Sequence, residues 1–185
     1  MPVRTYARPF SRTVPGFGLI ELIVAISIVA ILTAAAIPSF RELGRRMTVT
    51  EHTNDMVAAL NMARAEAVKR GVIVAVVGTG SNWTAGGWSV RADSDRNGAI
   101  TTADDLLATY PPVLHDYAVK TKVTAGNDAQ IVFGALGSLA TPATAVDVNV
   151  CRPDHLAAQS AWIHIVPSGE ITSRRNTTTS PAPGC

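Results

Sequence analysis

Residues Leu19 to Ile37 form a nearly unbroken apolar run, and no other feature of the 185-residue chain limits its architecture as strongly. As a helix rising 1.5 Å per residue, the run is long enough for a hydrocarbon core about 30 Å thick. Its exceptions are Glu21, Ser27 and Thr33. Glu21 is the informative one. A carboxylate near a bilayer centre costs on the order of 2.5–3.5 kcal/mol on insertion scales, and less near an interface. An ordinary spanning helix or secretory signal gains nothing from it.

Three readings compete for this segment. In the first it is a secretory signal, with a basic start and a cleavage site at Ala34-Ala35-Ala36, leaving a globular protein free in the periplasm. In the second it is a permanent anchor. In the third a leader is cut before the apolar run, which stays with the mature chain. Arginines flank both sides (Arg4, Arg8, Arg12; Arg41, Arg45, Arg46), so the positive-inside rule does not choose. Arg4, Arg8 and Arg12 give the first sixteen residues +3 against a chain total of +2, so the remainder is −1. Global charge thus gives no support for nucleic-acid binding. A 47% hydrophobic content suffices for one membrane segment and one small soluble domain.

Glu21 separates the readings, because a secretory apolar region normally excludes charge. The stretch Gly16-Phe17-Gly18-Leu19-Ile20-Glu21 resembles the class III leader junction of type IV pilins and pseudopilins. Gly16, Phe17 and Glu21 match that pattern, while Gly18 replaces the more usual threonine. Pro38 falls where pilins often carry a helix-kinking proline. The resemblance implies that a prepilin peptidase cuts between Gly16 and Phe17 and methylates the new amine. It also implies a role for Glu21, whose carboxylate would meet the amine of a neighbouring subunit's Phe17 on assembly. Each charge is costly alone in an apolar bundle, and pairing offsets the cost. The implied partners are the peptidase, other pilin or pseudopilin subunits and the inner membrane.

Beyond Pro38, Val49, Thr53, Met56, Leu60, Ala63 and Ala67 recur at three- and four-residue spacing, as in an amphipathic helix with one buried stripe. Gly71 follows Lys69-Arg70 as a stop signal. A continuous helix from Phe17 to Arg70 would run roughly 80 Å, bent at Pro38 and loosened at Gly44. Two helices broken around 38–45 are the alternative. After Gly71 the period changes. VIVAVVG, GGWSVRAD, YAVKTKVTA, AQIVFGALGSLA, AVDVNVC, AWIHIVPSG and EIT read as strands between Gly/Pro/Asn/Asp punctuation.

The expected fold class is α+β: a long N-terminal helix, transmembrane in its first half, packed on an antiparallel β-rich C-terminal head. The segments are a leader over 1–16, a membrane or filament-core helix over 17–38, an amphipathic continuation over 39–70, and a head with a polar tail over 71–185. The order of features in the head resembles the minor-pilin group FimT and GspH. Trp83 and Gly87-Trp88 precede an Asp-rich hairpin at Asp93; Leu106-Leu107, a strand ending in Cys151, an apolar strand at Ala161–Val166 and a turn at Gly169 follow. Two cysteines in a chain that looks exported predict a Cys151–Cys185 disulfide tying the tail to the head, against the alternative of two unrelated buried thiols.

Two further constellations carry chemistry. DSDRNGAITTAD fits a calcium-loop template at Asp93, Asp95, Asn97, Gly98 and Asp104. It lacks the bidentate Glu and flanking helices, and Asp/Asn/Gly spacing of this kind is also good turn chemistry. The reading is therefore a turn, with calcium as the alternative. PSGEITSRRN carries Gly169 where some FimT-type pilins have a Gly-Arg motif for DNA, but Glu170 replaces the arginine. Arg174 and Arg175 remain as candidates for nonspecific phosphate contact. Trp83 and Trp88 read as core or hairpin packing. The histidines at 52, 115, 155 and 164 lack metal-ligand spacing, and no phosphate loop or nucleophile elbow is present.

The expectation is a non-enzymatic minor pilin or pseudopilin, without cofactor, of a type II secretion pseudopilus or type IV pilus. Its single-pass helix sits in the bacterial inner membrane and its head in the periplasm. A DNA-binding pilin is the rival reading.

Overall fold

The computed structural model describes residues 16, 18–79, 83–113, 116–123, 129–141, 143–154, 159–176 and 185. Leader residues 1–15, Phe17, His115, His155 and tail positions 177–184 lie outside the described residues. The chain divides into two units, Met1–Glu42 and Leu43–Cys185. Helix α1 (Leu19–Arg70) is uninterrupted, with Pro38 inside it, so the alternative of two helices broken around 38–45 is not realised.

In the first unit α1 opens as the Leu22 amide donates to the Gly18 carbonyl at 3.1 Å. Its apolar side chains from Leu19 to Phe40 face outward. Ser27 and Thr33 donate to the carbonyls of Ile23 and Val29, both at 2.7 Å, so their hydroxyls are satisfied within the helix. The segment has the length and composition to cross a membrane.

In the second unit α1 becomes one-sided. Val49, Thr53, Met56, Leu60, Ala63 and Ala67, the stripe predicted from spacing, are all buried, together with His52 and Ala59. Gly71 ends the helix at φ +64°, a left-handed value that glycine adopts without strain, and its amide still reaches the Ala67 carbonyl at 3.0 Å.

Among the described residues nine strands follow: β1 (Val74–Gly78), β2 (Trp88–Ala92), β3 (Asp105–Tyr110), β4 (Ala118–Val123), β5 (Gln130–Phe133), β6 (Leu139–Thr141), β7 (Val146–Cys151), β8 (Ala161–Ile165) and β9 (Ile171–Arg175). They form two antiparallel sheets, ordered β3-β2-β1-β5-β6 and β4-β7-β8-β9. Val74, Val76, Val90, Ile131 and Phe133 of the first sheet share one core with Val148, Val150, Ile163 and Ile165 of the second and the buried stripe of α1. Trp83 and Trp88 belong to this core, 4% and 1% exposed. Strand β3 is absent from the alternation-based expectation, which read Leu106-Leu107 only as a landmark.

Candidate functional site

Three places hold the residues to which function is attributed. The first is the start of α1. Counting from Gly18, which accepts the first helical hydrogen bond, Glu21 is the third helical residue, where a carboxylate interacts favourably with the amide end of the helix. Glu21 is exposed, and no hydrogen-bond partner for its carboxylate is found among the described residues, in contrast to Ser27 and Thr33. A fixed anion on an apolar helix surface can take up a cation supplied by another chain. Pro38 lacks the N–H that would bond the Ala34 carbonyl.

The second place is the outward face of the β4-β7-β8-β9 sheet. Strand β8 alternates strictly, burying Ala161, Ile163 and Ile165 and turning Trp162 and His164 outward. Across the ladder Trp162 pairs with Arg174 and His164 with Asp147. The Arg174 guanidinium lies 4.1 Å from the Trp162 ring centroid, a cation–π contact. His164 Nδ1 is 2.6 Å from an Asp147 carboxylate oxygen, and the His164 and Trp162 rings are 5.1 Å apart. Arg175 leaves β9 on the other face and donates to Thr50 Oγ1 of α1 at 3.1 Å. The two candidate arginines are therefore neighbours in sequence but not on one surface. Trp162, His164 and Asp147 were not singled out as a row from the sequence; the available signal was an aromatic and a histidine at the outward positions of an alternating strand.

The turn before β9 packs against the β5–β6 turn. Gly169 has φ +82°, and a Cβ there would lie 1.9 Å from the Gly137 carbonyl oxygen, so only glycine fits. The same carbonyl accepts from Arg64 Nε at 3.0 Å, which ties α1 to the close approach of the β5–β6 and β8–β9 turns. Beyond β9, Cys151 and Cys185 are joined in a disulfide with Cα atoms 5.5 Å apart.

The third place is the β2–β3 connection. Asp93, Asp95 and Asp104 each offer a carboxylate oxygen within 4.8 Å of the others. These carboxylates already serve the loop. Asp93 accepts from the amides of Asn97 at 3.2 Å and Gly98 at 2.9 Å. Asp104 accepts from the Thr101 amide at 2.7 Å and the Ser94 amide at 3.1 Å. The Thr101 amide is the chief reason the Asp104 carboxyl is held below its ordinary value. The Asn97 side chain donates through Nδ2 to the Asp95 carboxylate at 2.7 Å and accepts through Oδ1 from the Ala99 amide at 2.8 Å. This bonding gives the loop its shape as a turn.

A long exposed apolar helix that becomes the spine of a two-sheet β head defines a type IV pilin-like subunit, a structural class of protein. The profile of the family described as "Type II transport protein GspH" matches residues 52–169, and that of the "Prokaryotic N-terminal methylation motif" matches residues 12–37. The fold is shared with the type IV minor pilin FimU of Pseudomonas aeruginosa (strain PAO1), seen in two crystal forms. One superimposes with a TM-score of 0.55 at 19% identity, covering 79% of this chain and 98% of FimU. The other gives 0.54 at 18% identity, covering 75% and 98%. No curated protein gives a significant sequence match. With more than half its length matched, the chain belongs to the GspH family and is a minor pilin or pseudopilin.

Proposed function

We propose that this protein is made as an inner-membrane precursor, cut between Gly16 and Phe17, methylated at the new amine, and drawn from the membrane into a type II secretion pseudopilus or type IV pilus as a low-abundance subunit. The head presents its surface to other minor subunits or to cargo. Glu21 carries the proposal: it is an exposed carboxylate in the third position of a helix whose other polar side chains in the apolar run bond within the helix. The methylation motif over residues 12–37 supports the same processing step. Intact-mass measurement of the protein from cell envelopes tests it. A monomethylated species beginning at Phe17 is expected, and a chain beginning at Ile37 would overturn the proposal. Loss of secretion against loss of surface fibres on gene deletion would identify the machinery.

Nucleic-acid capture through Arg174 and Arg175 has less support. Their guanidiniums leave β9 on opposite faces, one over Trp162 and one at Thr50, and Glu170 sits in the adjoining turn. Gel shifts at low and moderate salt are expected to change little between wild type and the Arg174→Glu and Arg175→Glu variants.

A further inference from the structure

Between α1 and β9 the head carries an open groove of about 750 Å³ lined by apolar, cationic and anionic side chains. Leu43 and Met47, 47% and 61% exposed, form one end. Arg46 lies between them in the chain, and β9 adds Arg175, anchored by its bond to Thr50. Glu51 and Asp55 close the other end. Apolar and cationic side chains thus share the Leu43–Met47 stretch and carboxylates follow at 51 and 55, over the roughly 18 Å from Leu43 to Asp55 at 1.5 Å per residue.

A ligand complementary to that pattern has an apolar tail beside a phosphate at one end and, at the other, a cation able to donate hydrogen bonds. We propose that the groove binds a phospholipid of the phosphatidylethanolamine type. An acyl chain lies along Leu43 and Met47, the phosphate sits between Arg46 and Arg175, and the primary ammonium donates to Glu51 and Asp55. Guanidiniums recognise phosphate through charge-assisted hydrogen bonds. A primary ammonium brings three N–H donors to acceptor-only carboxylates. Phosphatidylglycerol has no cation for Glu51 and Asp55, and the quaternary ammonium of phosphatidylcholine has no N–H to give them.

Leu43 follows Ile37 by six positions in the chain, so the proposed membrane-spanning reading gives this protein access to phospholipid. The proposal rests on that reading only for access to lipid. Retention in detergent is measured without assembly or leader processing, so the two can fail separately.

Full-length protein in non-ionic detergent, given equimolar phosphatidylethanolamine, phosphatidylglycerol and phosphatidylcholine, is examined by native mass spectrometry. Phosphatidylethanolamine is expected to be retained about tenfold over the other two, the scale of one charge-assisted contact. The double variant Glu51→Gln, Asp55→Asn should erase its advantage over phosphatidylglycerol while leaving phosphatidylglycerol retention unchanged. Arg175→Gln should lower retention of both. These near-isosteric changes sit on exposed or half-exposed side chains, and far-ultraviolet circular dichroism checks that each variant is folded. Equal retention of the three lipids, or a preference untouched by the Glu51 and Asp55 changes, overturns the proposal. So does a photo-reactive residue at position 54 that captures another subunit and no lipid in intact membranes.

Discussion

At position 169 a single added methyl group would meet the Gly137 carbonyl oxygen at 1.9 Å, and the backbone there already lies at φ +82°. Gly169→Ala must therefore open the contact between the β5–β6 and β8–β9 turns and disturb the Arg64 hydrogen bond. A loss of at least about 2 kcal/mol is expected, combining backbone strain with the clash, and urea unfolding would measure it. Asp104 makes a second residue-scale case. Its carboxyl is lowered first by the Thr101 amide and then by the Ser94 amide, so the charged form is favoured in the folded state. That contribution is fully present above the ordinary carboxylate value of about 3.9 and is lost as pH falls through the lower folded value. Asp104→Asn should reduce Tm by several degrees at neutral pH, with the difference from wild type closing under strongly acidic conditions. Thermal melts across a pH series would read this directly.

At the scale of elements, α1 has two different surfaces. The head-side stripe follows from spacing in the sequence because burial on one face is what creates the pattern. Most strands are legible for the same reason. β3 is not, because it lies at the edge of its sheet, leaves Leu106 54% exposed and shows no strict alternation; pairing with β2, rather than burial, holds it. The site residues divide in a similar way. Glu21 stands out because a charge contradicts its surroundings, whereas adjacent Arg174 and Arg175 look like one cationic patch until the two-residue period of a strand sends them to opposite faces. The Asp147–His164–Trp162–Arg174 row is built across three strands, so no local window contains it. For α1 the expected outcome concerns assembly. Glu21→Ala should leave the proposed leader cleavage largely intact, since that bond is several residues away, while recruitment into fibres falls by about tenfold or more for loss of the proposed ion pair. Immunoblots of sheared fibres against membrane fractions would separate those effects. Equal recovery in fibres would remove the role.

For the molecule as a whole, two sheets and half of a helix share one core, and the covalent closure lies at its margin. Cys151 ends β7, and Cys185 is reached nine positions after Asn176, so the bond encloses β8 and β9. Chain entropy assigns a loop of this length about 3–4 kcal/mol. Cys185→Ser is expected to lower stability by roughly that amount, seen as an equal destabilisation of wild type under reducing agent, with the β4-β7-β8 core retained. Such bonds persist where thiols are oxidised and are rare where they are kept reduced. Under the proposed topology, with the head in the periplasm, the last increment of rigidity is added only after delivery. On that proposal a chain kept on the reducing side retains a looser edge around β9 and is cut there by proteases faster than the oxidised chain.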